Sequence, residues 1–360
     1  MAFINRIRSR MEMTSTFDSV YTTLSRKPPL KAIVVSTSLD PTAIESILGR
    51  RRKLKRAYRG QVLELESNLF NLSLQKGIRS KVARGQAIVD SSKEGLWILF
   101  TDEPNYYVKH VLSPFLNGLY PDVSRAYLNY RQILNFLAFL RETYTGSTVL
   151  TSIAVKRQKR SGKGGKKGTL LLWEEEGSED ELRQHAQKYR LWIDQLGYEI
   201  RDKSDLRLLV GSITGTGIAR LRYGSFQDFM QHIVGPLSAM ASDWRAFYSR
   251  RERKLVNGIV QLSPYAVRYP FALEDGQIAQ ISRELANFYS FAVVHSGNPY
   301  FAASLSDSSD GSSFGLTILR DAVTITPISK ASPSALWELT NRIQSIIGEG
   351  QIESIHSGAP

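Results

Sequence analysis

The stretch 86–117, QAIVDSSKEGLWILFTDEPNYYVKHVLSPFLN, decides the fold. Two apolar runs, 86–90 and 96–101, are joined by Ser-Ser-Lys-Glu-Gly, a set of turn formers, and read as a β-hairpin. A helix is predicted directly after it, over 104–117, opening at a proline. The same order, hairpin then helix, recurs at 206–240 and 300–348. The segment YVKHVLSPFL (107–116) lays against FMQHIVGPLS (229–238), matching an aromatic, a histidine, two aliphatics and a proline. Duplicated hairpin–helix units are therefore the expectation. Paired strands in succession favour α+β over alternating α/β. The predicted fold is α+β: antiparallel β-hairpins, each followed by a helix, arranged as two similar lobes.

Outward from that stretch, LKAIVVS (30–36) reads as a fully buried strand, and Pro41 opens a short helix after Asp40. Alternation over 61–66 and 69–75 across Ser67-Asn68 predicts another hairpin, followed by a basic connection with Arg79, Lys81 and Arg84. A helix is expected over 129–143 and strands over 148–155 and 170–173. Ser178 and Glu181 form a capping box, which predicts a helix from there to Gly197. Strands at 206–213 and 218–223 flank TGTG, and Ser225 caps a helix reaching about Arg253 with a break at Gly235-Pro236. A strand at 258–262, a helix over 277–294, a hairpin at 300–319, a strand at 323–326 and a helix over 333–348 complete the pattern. The division is an N-terminal arm (1–30), an N-terminal lobe (31–155), a basic flexible loop (156–168), a C-terminal lobe (169–350) and a frayed tail (351–360).

The 360 residues are 42% hydrophobic, enough for a sizeable core. There is no cysteine, which excludes disulfides, thiol nucleophiles and cysteine-ligated metals and fits a cytoplasmic address. No apolar run reaches membrane-spanning length, and the N-terminus lacks the apolar core of a signal peptide. The five histidines, His110, His185, His232, His295 and His356, fall in no metal-binding spacing, so no metal and no cofactor is expected.

The formal net charge is +13. Three clusters hold it. Arg50, Arg51, Arg52, Lys53, Lys55, Arg56 and Arg59 fall within ten residues that contain no acid. Lys156, Arg157, Lys159, Arg160, Lys163, Lys166 and Lys167 fall within twelve, again without an acid. Arg250, Arg251, Arg253 and Lys254 surround the single acid Glu252. Together the clusters carry +17, so the remainder of the chain is net −4. Concentrated Lys and Arg displace counterions from a phosphate backbone and give salt-sensitive affinity for nucleic acid. An aromatic beside such charge supplies a stacking surface, and Tyr58 is the candidate in the first cluster. Trp244, Phe247 and Tyr248 precede the third cluster, and Trp244 and Phe247, at helical spacing, read as core.

Catalytic patterns fail on inspection. GKGGKKGT (162–169) departs from the phosphate-loop pattern because Gly168 separates Lys167 from Thr169, and it leads into a strand. The glycines of 211–217 lack the third position of a dinucleotide fingerprint and read as a hairpin turn. Asp307, Asp310 and Gly311 lack calcium-loop spacing. No GxSxG occurs. Asp90, Glu94 and Asp102 flank one hairpin and are the acids that a metal-dependent nuclease would use. The expectation is a non-catalytic nucleic-acid-binding protein, DNA or RNA, that contacts the phosphate backbone through the three clusters and Tyr58 and works with a partner protein. The alternatives are a structural subunit whose basic loops meet an acidic partner, and a nuclease whose carboxylates assemble only in the fold.

Overall fold

A computed structural model describes residues 3–23, 27–78, 81–120, 122–126, 128, 130–144, 148–157, 167–173, 191–251, 254–256, 259–261, 263–297, 300–308, 311–348 and 350–355. The chain divides into two compact units. Unit 1 comprises Met1–Lys156, Lys166–Gln184 and Ile193–Ser242; unit 2 comprises Arg157–Gly165, His185–Trp192 and Asp243–Pro360.

Unit 1 opens with a 3-10 turn (Phe3–Arg6) and α1 (Arg10–Tyr21), followed by β1 (Leu30–Thr37), α2 (Ala43–Arg50), α3 (Arg52–Ala57), β2 (Tyr58–Glu66), β3 (Leu69–Ile78), β4 (Lys81–Asp90) and β5 (Leu96–Thr101). Then come α4 (105–118), β6 (Val123–Arg125), α5 (Tyr130–Thr143), β7 (Thr148–Arg157), β8 (Lys167–Trp173), β9 (Leu191–Arg201), β10 (Arg207–Thr214), β11 (Ile218–Gly224) and α6 (226–249), of which Arg157, Leu191, Trp192 and the end of α6 from Asp243 belong to unit 2. Ten strands lie side by side as β2-β3-β4-β5-β1-β11-β10-β9-β7-β8, and β6 pairs with the far end of β1 to make the eleventh.

The two matched segments occupy equivalent places in this sheet. A constant shift of 122 positions carries Gly95 to Gly217, β5 to β11, His110 to His232 and Pro114 to Pro236. Both glycines hold a left-handed backbone, at φ 73° and 68°, where each hairpin turns back. Both helices carry one π turn at the same place, Val108–Leu112 in α4 and Met230–Val234 in α6. The proline supplies the cause. Pro114 has no N–H to give the carbonyl four residues back, and the preceding Ser113 N–H reaches five residues to Val108 instead; Gly235, before Pro236, bonds Met230 in the same way. The His110 carbonyl, left without its helical donor, accepts from Lys76 Nζ at 3.1 Å. The break foreseen at Gly235-Pro236 is thus a local widening, and the helix runs on to Ser249.

β5 and β11 both run antiparallel to β1, on its two sides, so they are parallel to each other. Leu99 pairs with Ile33 and its equivalent Leu221 with Leu30, so a half-turn about β1 with a shift of three residues along it relates the repeats, and the half-turn sends the following helices to opposite faces. Val111, Leu112 and Phe115 of α4 pack against Ile33, Val35, Trp97 and Leu99. Phe226 of α6 lies on the other face, 5.0 Å from Phe17 of α1 and 5.6 Å from Phe100 between ring centroids. Covered twice, every residue of β1 is buried. That is why it reads as an unbroken apolar run. Each large aliphatic or aromatic side chain so buried contributes about 1.5–3 kcal/mol.

Unit 2 holds the hairpin β12 (Lys254–Val256) with β13 (Ile259–Gln261), then β14 (Tyr265–Arg268), α7 (Asp275–Ala286), β15 (Ser290–Ser296), β16 (Tyr300–Ser306), β17 (Ser313–Leu319), β18 (Ala322–Pro327), α8 (Pro333–Ile347) and β19 (Gln351–Ser354). Its six-stranded sheet runs β15-β16-β17-β18-β14-β19. Strict alternation of buried and open residues in β16, β17 and β18 presents Phe301, Phe314, Leu316, Ile318 and Val323 to one side. α7 starts at a reciprocal capping box between Glu274 and Gln277, and α8 at Ser332, whose Oγ accepts from Ala335 N. Tyr248 is sealed between Tyr265 and Trp337, while Trp244 and Phe247, read as core, are half-buried.

The architecture is α+β with antiparallel sheets. Several local readings change. The helix expected over 178–197 ends as strand: Leu191–Arg201 is β9 and pairs with β10, while Ser178 and Glu181 lie outside the described residues. The helix expected over 277–294 stops at Ala286, and its last turns are the edge strand β15. Gln351–Ser354, expected within a frayed tail, pairs with β14. α1, expected within an N-terminal arm, buries Met13, Phe17, Val20 and Tyr21 behind a Ser9 cap.

Candidate nucleic-acid interface

The first basic cluster is built on two short helices and the strand that follows them. α2 buries Ile44 and Leu48, α3 buries Leu54, and β2 then begins at Tyr58. With one apolar anchor per helix turn, the other positions face outward. Arg50, Arg52, Lys53, Lys55, Arg56 and Arg59 are exposed. Two members of the cluster are not. Arg51 donates to the carbonyls of Gly118 and Tyr120 at 2.8 and 2.9 Å and pairs with Asp122, tying the end of α4 to α3. Tyr58 is 5% exposed; its ring lies 5.4 Å from Phe115, and Lys76 Nζ stands 5.0 Å over it. The stacking role expected of Tyr58 is corrected: position 58 falls on the inner face of the sheet, where α4 covers it.

The register adds residues that the linear clusters miss. Most of the basic connection is strand: β3 continues to Ile78 and β4, with Lys81 and Arg84, begins at Lys81, while Arg79 lies outside the described residues. On the outer face Arg59 pairs with Gln75 and Gln75 with Arg84, and the next row is Gln61, Ser73 and Gln86. Two strand spacings place Arg59 and Arg84 about 10 Å apart across the sheet. These six side chains, with Asn5 and Glu103, line a groove of about 610 Å³. The groove lining carries no aromatic.

At the groove floor Glu103 Oε1 accepts from Gln86 N at 3.2 Å. Burial holds this carboxyl above its usual value, with Asp102 adding to the rise. Behind it Lys31, 1% exposed, donates to the carbonyls of Glu103 and Pro29 at 2.6 and 3.1 Å. Burial, helped by Arg220, pushes the Lys31 ammonium down to about 8.

The other clusters are placed less completely. Lys156, Arg157 and Lys167 lie on β7 and β8, while Lys159, Arg160, Lys163 and Lys166 lie outside the described residues. In the third cluster Arg250 is exposed. Arg251 is corrected from contact residue to core: it is 9% exposed, its guanidinium stacks 4.4 Å over Phe247, and it donates to Ser354. Burial lowers its pKa. Lys254 starts β12, and Arg253 lies outside the described residues.

The acids named for a nuclease are engaged separately. Asp90 pairs with Arg10 at 3.0 Å, and Asp102 accepts from Phe3 N at 2.8 Å. Among the described residues no group of three His, Asp or Glu is placed to hold a metal ion. Among them, too, no helix is long and apolar enough to cross a membrane. The chain matches no protein-family model, and comparison with curated proteins finds no relative.

Proposed function

We propose that the chain is a nucleic-acid-binding protein that holds the phosphate backbone on unit 1. The carrying observation is the exposed set Arg50, Arg52, Lys53, Lys55, Arg56 and Arg59, free of intervening acids, continued across the sheet face by Arg84. Arginine and lysine here stand in front of water, not in the core, so their charge is available to phosphates. The groove beside them offers amide and hydroxyl groups and no ring for stacking, which favours backbone contact over base readout. Lys156–Lys167 and Arg250 supply further positive charge on sequence grounds. Arg51, Tyr58 and Arg251 are engaged within the fold and do not belong to the binding surface. Any chemistry on the bound strand falls to a partner protein.

The test is binding of the full chain to labelled single- and double-stranded DNA and RNA across a salt series, with and without Mg²⁺. Changing Arg52, Lys53, Lys55 and Arg56 to Gln abolishes up to four phosphate pairings. The slope of log K against log salt then falls by about 0.7–0.9 for each phosphate that is no longer neutralised. An unchanged slope with this variant overturns the assignment of the surface. Absence of low-salt binding to all four probes overturns the reading itself, and capture of an acidic polypeptide by the same residues supports the structural-subunit alternative. Mg²⁺-dependent cleavage moves the conclusion to a nuclease.

A further inference from the structure

The edges of the sheets are not treated alike. β2, one edge of the large sheet, carries the charges Arg59, Glu64 and Glu66, and its Val62 N–H is occupied by the Glu45 carboxylate at 2.9 Å. β19, one edge of the smaller sheet, is four residues long and bears Glu353, paired with Arg268 at 3.2 Å. These are the devices by which proteins keep edges from pairing. β15, the opposite edge of the smaller sheet, has none of the charges. Its sequence SFAVVHS contains no Lys, Arg, Asp, Glu or Pro, and six of its seven residues are exposed. Val293 is 51% and Val294 69% exposed. The one irregularity is a bulge between Val293 and His295, which leaves 290–293 as regular ladder.

A groove of about 630 Å³ runs between this strand and α7. Its helix wall presents Ala279, Ser282 and Ala286, small side chains that allow a second helix to approach closely. Asp275 and Arg283 flank them on the same face, each four positions from Ala279. This spacing is self-complementary. A half-turn through the middle of the strand lays a second β15 antiparallel to the first and a second α7 antiparallel beside the first. Asp275 then meets Arg283 of the other copy, and the pairing occurs twice. An uncharged strand also lets two copies of a +13 chain approach at this edge without like charges face to face.

We infer that β15 and α7 form the interface of a symmetric homodimer, in which two six-stranded sheets join edge to edge through residues 290–293. The interface lies in unit 2 and is independent of the nucleic-acid reading of unit 1. The test is the mass of the full chain, 40.5 kDa as a monomer, measured by light scattering and sedimentation in high salt after nuclease treatment. Wild type is expected at twice the monomer mass. Val293→Lys introduces like charges at the strand pairing and is expected at the monomer mass, with an unchanged circular dichroism spectrum. Asp275→Arg sets Arg against Arg twice and weakens the dimer at least tenfold. The double variant Asp275→Arg/Arg283→Asp restores it, an outcome that only a two-fold partner produces. A monomeric wild type overturns the inference. So does a dimer indifferent to Val293→Lys, or a double variant no better than the single.

Discussion

Replacing Lys31 by Met tests the buried polar cluster under the groove through the pH dependence of folding. In the folded chain the ammonium is pushed down to about 8 by burial and by Arg220, against the opposing pull of Asp102 and Glu103, while the unfolded chain has the ordinary value of 10.5. Between these values the unfolded state binds more protons, so stability rises with pH across the window from 8 to 10.5. The full difference is worth about 3 kcal/mol, and the portion released between about pH 8 and about pH 9.5 is about 1.5 kcal/mol. The assayed range, up to about pH 9.5, lies below the ordinary tyrosine value of 10.0, and the raised Tyr21, Tyr107 and Tyr198 hydroxyls stay protonated through it. Methionine fills the volume but leaves the Pro29 and Glu103 carbonyls without their donor, a loss of about 1–3 kcal/mol. Relief of the buried charge offsets that loss at about pH 7.5, where the two proteins should unfold at similar urea concentrations. At about pH 9.5 the wild type should lead by about 1–2 kcal/mol more than at the lower pH. All other titrating groups are common to both proteins and cancel in the comparison. Parallel stability curves across this range refute the depressed ammonium and the reasoning built on it.

Tyr58→Ala removes a ring packed on Phe115 and should lower unfolding free energy by about 3–5 kcal/mol by urea titration, whereas Tyr58→Leu, if folded by circular dichroism, should bind nucleic acid as the wild type does. A fall in affinity with an intact fold would return Tyr58 to the interface. Lys76→Met leaves the His110 carbonyl above Pro114 unpaired and should cost about 1–3 kcal/mol in the same titration; an equal midpoint removes Lys76 as the donor that satisfies the π turn. Gly217→Ala forces a side chain onto φ 68° and within 2.5 Å of the Ala126 carbonyl, so destabilisation of more than about 1 kcal/mol is expected. A neutral change, measured by thermal unfolding, would show that the turn relaxes freely.

The hairpin–helix units were legible because each carries local punctuation. Glycine turns, Ser225 at the N-cap of α6 and the His–Pro spacing are written close together along the chain. What failed was the distinction between helix and strand where side chains alternate weakly. LWIDQLGYEIR carries apolar residues compatible with either period, and β10 decides for strand by pairing with it. FAVVHS continues the apolar character of α7 without a glycine or proline, and Asn287 at the C-cap is a weak local mark of the stop after Ala286. The proposed interface shows the same limit. Density of charge located α3, but could not tell Arg52, which faces water, from Arg51, which holds two carbonyls and Asp122. Nor could it join Arg84 to Arg59, because that neighbourhood exists only through the register of β2, β3 and β4.

The half-turn about β1 has a consequence for where binding can sit. Equivalent residues of the two repeats land on opposite faces of one sheet, so the repeat does not generate two copies of one surface side by side. The sequence agrees. The shift that relates Gly95 to Gly217 carries Gln75 to Gly197 and Arg84 to Leu206, so the polar row of the first repeat has no counterpart in the second. The repeat is kept where it builds the scaffold, in the left-handed glycines, the strands flanking β1 and the π turns before Pro114 and Pro236. It is lost where side chains face solvent. α2 and α3, which carry the exposed cations, stand ahead of the repeated segment, inserted between β1 and β2. The proposed surface on α2 and α3 is therefore an addition to the repeated hairpin–helix frame, not a product of the repeat.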